Sequence, residues 1–222
     1  MTKTGPVELV TVPCLRDNYA FLVHNAETGE TALIDAPEAA PIQAALDARG
    51  WTLSDILLTH HHDDHIDGVA ALRGDARVIG AQADAHRLPP LDLAVREGNG
   101  LTVAGQDTHV FDVSGHTIGH VAFYMPAAKL VFTADSLMAL GCGRLFEGTP
   151  PQMWDSLQKL RALPDDTLVC PGHEYTQANA RFAATLDPDN PDLMSRIEKI
   201  EAARAADQPT VPSLLAIEKA TN

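Results

Sequence analysis

The chain concentrates its ligand chemistry in one run, Thr59-His60-His61-His62-Asp63-Asp64-His65-Ile66-Asp67-Gly68, where four histidines and two carboxylates fill six consecutive positions. Neutral imidazole nitrogens and carboxylate oxygens are the donors a divalent cation takes when it acts as a Lewis acid or activates water. His60, His62 and His65 stand two and three residues apart, with Asp64 between the last two. Donors so close in sequence supply part of a coordination shell at little cost in loop entropy. A His-x-His pair can hold one ion while the Asp-His pair turns toward another, so the spacing suggests two sites, each left incomplete by this loop. Three further donors follow apolar runs: His116 after Ser114-Gly115, Asp135 after Phe132-Thr133-Ala134, and His173 after Cys170-Pro171-Gly172. A carboxylate such as Asp135 has two oxygens and can bridge two cations. Two ions with three protein ligands each, a shared carboxylate and a shared water would make a complete hydrolytic centre.

Such donors need strand ends to present them. Asp55 to Thr59 is an apolar run without alternation, as expected of a buried strand, and a short helix is predicted over Ile66 to Leu72. Upstream, Glu8 to Val12, Tyr19 to His24 and Thr31 to Asp35 read as a strand meander, with turns at Asp17-Asn18 and Thr28-Gly29. Ile42, Ala45, Leu46 and Ala48 fall at helical spacing before Gly50, and Arg77 to Gly80 reads as another strand. Ala81 to Asn99 reads as a loop with room for a short helix. A second set of strands is predicted at Leu101 to Val103, Thr108 to Val113, His120 to Met125, Leu130 to Thr133 and Thr167 to Cys170. Within that set, Pro150 to Leu163 reads as a helix with Trp154, Leu157, Leu160 and Leu163 on its apolar stripe. From Glu174 the chain reads as three helical pieces broken at Asp187-Pro188, Asn190-Pro191 and Gln208-Pro209, with Met194, Ile197, Ile200 and Ala203 as a packing stripe.

With 222 residues, 45% of them hydrophobic, the chain can bury one large core. Its net charge of −14 argues against nucleic acid or an anionic membrane as partner, both of which need clustered Lys and Arg. No run approaches the ~18 apolar residues of a membrane span, and the first residues carry no apolar secretion signal. Cys14, Cys142 and Cys170 are odd in number and far apart, which suits a reducing compartment. A cytoplasmic protein, read as a monomer, is the expectation.

The order His60-x-His62-x-Asp64-His65, then His116, Asp135 and His173, resembles the metallo-β-lactamase superfamily. That resemblance implies an α/β fold, an αββα sandwich. Leu15 to Tyr19, Asp135 to Arg144, Phe146-Glu147-Gly148, Gly172 to Thr176 and Pro209 to Ser213 are similar, within it, to the glyoxalase II family of hydroxyacylglutathione hydrolases. The similarity runs from about Val7 to the last residue and implies a catalytic αββα domain over 1–173 with a helical, substrate-binding appendage over 174–222. Carried over by position, it places His60, His62 and His116 on one ion and Asp64, His65 and His173 on another, with Asp135 bridging. Zinc is the first expectation, iron or manganese the alternatives.

The implied reaction is hydrolysis of S-D-lactoylglutathione to glutathione and D-lactate, completing methylglyoxal detoxification. Asp64 and Asp135 are the implied catalytic carboxylates, and no Ser or Cys nucleophile is required. Arg144, Phe146 and Tyr175 fall where the family holds glutathione, although Arg144 replaces a commoner Lys and Phe146 stands where a Tyr hydroxyl is often found. Family members usually add basic residues beyond the position of Asn222, so either glutathione is held differently or the sequence lacks a tail. Two other readings stay open: a mono-iron glutathione persulfide dioxygenase, and a non-catalytic metal-binding member of the fold.

The remaining residues carry more modest expectations. His61 is expected to point away from the ions, His120 to be packed and hydrogen-bonded, and His24, His86 and His109 to carry no signal. Asp35 is divided between supporting a ligand and making a turn, and Asp63 and Asp67 read as solvated or capping residues. Cys142 and Cys170 read as buried structural thiols, and Tyr19 as core.

Overall fold

In the computed structural model, which describes residues 2–222, strands buried on both faces force a layered answer. β1 (Thr2–Thr4), β2 (Val7–Cys14), β3 (Asn18–His24) and β4 (Thr31–Ile34) form an antiparallel meander. β4 then continues through parallel pairings into β5 (Asp55–Leu58), β6 (Arg77–Ala81) and β7 (Leu93–Val95), giving a seven-stranded sheet in sequence order. Parallel neighbours require crossovers. These are α1 (Ala39–Asp47), between β4 and β5, and the short helices α2 (Asp63–Ile66) and α3 (Val69–Leu72), between β5 and β6.

The second sheet has six strands, with β8 (Gly100–Val103), β9 (Gln106–Asp112), β10 (Val121–Met125) and β11 (Leu130–Ala134) again antiparallel. A small hairpin of β12 (Leu137–Met138) and β13 (Gly141–Cys142) and the helix α4 (Pro150–Arg161) lead to β14 (Leu168–Pro171), parallel to β11. Thr149 and Gln152 cap α4 reciprocally, and prolines open it, where a missing N–H costs nothing. After α5 (Thr176–Leu186) and α6 (Pro191–Ala205), β15 (Ser213–Leu214) pairs with β14, and α7 (Leu215–Thr221) follows.

Three apolar clusters hold the layers together. Between the sheets, Phe21, Ile34, Leu57 and Ile79 meet Phe123, Met125 and Phe132, and the Phe21 and Phe132 rings lie 5.7 Å apart. Outside the first sheet, Leu22, Leu33 and Ile56 pack on Ile42 and Leu46 of α1 and Val69 and Leu72 of α3. Outside the second, Val131 and Val169 pack on Leu160 of α4 and Leu215 of α7. The result is the αββα order expected from the sequence.

Several local expectations change. Trp154 is 60% exposed, and the buried residues of α4 are Met153, Ser156 and Leu160. Met194 is likewise exposed, while Leu193 and Ile200 are buried and Ile197 partly so. Both predicted stripes repeat every third residue, and at 3.6 residues per turn four such positions fan across about half the helix circumference. One end of each stripe must therefore face solvent. β1, β7 and β15, two or three residues each, were not expected, and the short helix foreseen after Ala81 is a single 3-10 turn over Gln82–Asp84. The C-terminal pieces are helical as predicted, but β15 returns the chain to the second sheet.

Candidate metal centre

The donors sit where strands stop. β5 delivers His60, β11 delivers Asp135 and β14 delivers His173, while His116 lies in the turn between β9 and β10. Backbone bonds join the two sheets at this edge: Val121 N donates to Thr59 O at 2.9 Å and Tyr19 N to Gly172 O at 2.8 Å. Ala134 adopts a left-handed φ of +40° beside a register shift in the β11–β14 pairing, which turns Asp135 out of the ladder. Gly172 is required by crowding, since a Cβ there would come within 2.7 Å of both Asp135 Oδ1 and His65 Cε1. Gly143 is required likewise: its Cβ would fall 1.8 Å from the Asp135 carbonyl oxygen.

All seven predicted donors converge. His62 Nδ1 lies 3.1 Å from His60 Nε2 and 3.0 Å from His116 Nε2, and these three residues form one ligand group. Asp64, His65 and His173 form a second, with His65 Nε2 3.3 Å from His173 Nε2 and Asp64 Oδ2 3.5 Å from the latter. Asp135 stands between them: Oδ2 is 3.4 Å from both His116 Nε2 and His173 Nε2, and Oδ1 is 3.5 Å from His65 Nε2.

The outer nitrogens of four rings set their tautomers. His65 Nδ1 donates to Asp35 Oδ2 at 2.8 Å, His116 Nδ1 to the Arg144 carbonyl at 2.7 Å, and His173 Nδ1 to Asp17 Oδ1 at 3.1 Å. The Thr59 hydroxyl donates to Asp35 Oδ2 at 2.8 Å, so it accepts from His60 Nδ1 at 3.0 Å. In the neutral ring each Nε2 therefore turns a lone pair inward. The His65 and His173 lone pairs, facing one another at 3.3 Å, repel unless a cation or proton lies between them, and Asp135 Oδ1 is buried without any hydrogen-bond partner. This donor set fits divalent metal.

Electrostatics agree. Burial, reinforced by the surrounding imidazoles, holds His60 well below its ordinary range, and burial also lowers His62 and His116. Burial alone would raise Asp135, but His65, His173 and His116 draw it below the usual carboxylate range. Burial alone would lower His65, but Asp135 and Asp35 outweigh it and hold the ring up at about 9. A cation entering this centre displaces such a proton and meets a carboxylate that is already ionised.

Support residues complete the centre, and sequence reasoning missed several. Asn18 is buried and donates from Nδ2 to the Asp64 backbone oxygen at 2.9 Å and to its Oδ2 at 3.0 Å. Asp17 and Asn18 had been visible as turn residues and within the family-like segment Leu15 to Tyr19, with no role assigned to either. Asp35 resolves as a support: besides His65 and the Thr59 hydroxyl it accepts from Thr59 N at 2.9 Å, and it does so with φ at +54°. Its oxygens are thereby committed, so its proximity to His60 and His65 reflects orientation of ligands. His120 is packed as expected, stacked on His60 at 4.6 Å. It accepts from Asp135 N, and burial lowers its pKa to about 3.

Over the donors opens a cleft of about 680 Å³ whose walls include Met138, Cys142, Arg144, Phe146, Tyr175 and Asn179. Arg144 lies over the Phe146 ring at 5.5 Å, and that ring meets His62 and His116 edge-on. Tyr175 stacks on His173 at 4.5 Å. Cys170 is buried as predicted, but Cys142 is exposed on the cleft wall because it sits in a two-residue strand at the sandwich rim. Tyr19 is core, its hydroxyl donating to Glu174 Oε2 at 2.9 Å. His61 does point away from the donors, and it does so toward Asp84.

Known proteins are similar to this chain in sequence and in fold. Residues 15–173 match the family model of the metallo-beta-lactamase superfamily, and residues 174–222 match that of the hydroxyacylglutathione hydrolase C-terminus. A hydroxyacylglutathione hydrolase of Ruegeria pomeroyi is 68% identical over 219 residues, 98% of this chain and 86% of that protein. Among solved structures, ETHE1 from Myxococcus xanthus is 27% identical with a TM-score of 0.67, covering 97% of this chain and 96% of its own. TTHA1623 in a di-iron-bound form is 34% identical with a TM-score of 0.61, covering 75% of this chain and 91% of its own. Taken with the centre's geometry, these matches establish that the chain belongs to the hydroxyacylglutathione hydrolase family of the metallo-beta-lactamase superfamily.

Proposed function

We propose that the chain hydrolyses S-2-hydroxyacylglutathione thioesters, S-D-lactoylglutathione foremost, to glutathione and D-lactate. The observation that carries this reading is the pair of three-ligand groups joined by Asp135 beneath a cleft bearing Arg144 and Tyr175. We assign two divalent cations to these groups, zinc first and iron or manganese as alternatives. Two iron ions are carried by TTHA1623 in the form to which this chain is similar. Bound cations supply Lewis acidity, which makes hydroxide available near neutral pH and draws electron density from the thioester carbonyl.

The chain's own groups do the rest. Asp64, held by Asn18 at Oδ2, joins the second ligand group and is assigned to orient the attacking water, and Asp135 sets the separation of the two ligand groups. Water adds to the carbonyl carbon and the C–S bond breaks; glutathione leaves as the thiolate and takes up one of the water's protons, while the acyl group departs as carboxylate and the other proton passes to solvent. Arg144 offers a fixed cation to a glutathione carboxylate, Phe146 an apolar wall, and Tyr175 a hydroxyl near the second group. No protein nucleophile takes part. A mono-iron dioxygenase would leave one of the two ligand groups without a role.

The test is thiol release and D-lactate formation from S-D-lactoylglutathione by metal-loaded protein, beside a His60→Ala variant. Turnover that falls at least ~100-fold in the variant supports the reading; equal rates in the two proteins would remove it.

A further inference from the structure

The mechanism leaves His61 unused, although it stands between two donors. Its Nδ1 lies 2.9 Å from Oδ2 of Asp84, a carboxylate only 1% exposed at the 3-10 turn after β6. The other Asp84 oxygen accepts from Arg87, at 3.1 Å from Nε and 2.5 Å from Nη2. Arg87 in turn grips both carboxylate oxygens of Glu147, through Nη1 to Oε1 and through Nη2 to Oε2 at 3.2 Å. Glu147 Oε2 also accepts from Ile118 N at 2.8 Å, in the turn that carries His116. Gly119 makes room, since a Cβ there would lie 2.1 Å from the Asp84 carboxyl carbon.

An exposed ion pair of this kind would be worth little. Here one end is buried, the Arg87 and Glu147 side chains are 30% and 29% exposed, and the contacts are forked. The segment it grips also needs holding. Residues 143–148 contain no helix or strand, and the Phe146 and Glu147 amides reach only the His116 carbonyl, at 3.2 and 3.4 Å. Arg144 and Phe146 extend from this segment over the cleft.

We propose that Asp84, Arg87 and Glu147 are positioning residues that brace the Arg144–Phe146 wall against the histidine loop through His61, and so set how tightly the glutathione half of the substrate is held. This rests on the thioester-hydrolase reading. The cations depend on the brace far less, because His60, His65 and His173 have partners outside it in Thr59, Asp35 and Asp17, and only His116 leans on the braced segment, through the Arg144 carbonyl.

Arg87→Met and the milder Glu147→Gln test it, each with steady-state kinetics, bound metal per chain, and hydrogen exchange across residues 143–148. The expected result is KM raised about tenfold, kcat within about twofold, metal content unchanged, and faster exchange at the Phe146 and Glu147 amides. Unchanged KM and exchange in both variants would overturn the proposal, as would joint loss of metal and kcat without faster exchange. If unaltered protein fails to turn over the thioester, the hydrolase reading falls, and the exchange comparison alone decides the brace: no difference overturns it.

Discussion

At the scale of single residues, Asp35 orders the centre more than any group that is not itself a donor. It takes three hydrogen bonds, from Thr59 N, the Thr59 hydroxyl and His65 Nδ1, and through the hydroxyl it also fixes His60. Asp35→Asn keeps the shape but presents an amide where His65 needs an acceptor. Metal affinity is expected to fall about 10- to 100-fold, read by competition with a chromogenic chelator, while the melting of metal-free protein shifts far less. An unchanged affinity would show that His65 is oriented by packing alone. The seven donors were legible in the sequence because five of them are histidines and the four segments that carry them each follow an apolar run. Asn18 and Asp84 were not, since their meaning lies in contacts 46 and 23 residues away along the chain. Cys142 was misread because a thiol between glycines gives no sign of which side of the rim it will face.

Elements were read well where they are long and periodic. Strands buried on both faces, such as β5 and β11, show continuous apolar runs, and the two sheets followed from them. Two-residue strands have no periodicity to read, and β15 is defined by its partner β14. Each helical stripe holds except at one end, for a geometric reason, and α4 offers a clean check. Leu160 is fully buried against Val131 and Val169, whereas Trp154, the larger side chain, is mostly exposed. In urea denaturation Leu160→Ala should cost ~2–5 kcal/mol and Trp154→Ala under ~1 kcal/mol. A reversed order would mean that α4 packs through the Trp154 end of its stripe.

At the scale of the whole molecule, the sandwich exists to bring four separate chain segments to one edge, and the C-terminal helices lean on that edge. Glu218 of α7 is buried, pairs with Arg196 of α6 and accepts from Leu140 N in the hairpin just before Arg144. Among the described residues no helix is long and apolar enough to cross a membrane. A chain with a net charge of −14 must attract an anionic thioester locally, so cations at the centre and Arg144 carry a burden that the overall charge opposes. The proposed hydrolysis requires both ligand groups to be filled. Metal-free protein titrated with zinc while thiol release from S-D-lactoylglutathione is followed tests it most directly: activity should rise to a plateau at two equivalents per chain, and full activity at one equivalent, or none at saturation, would contradict it.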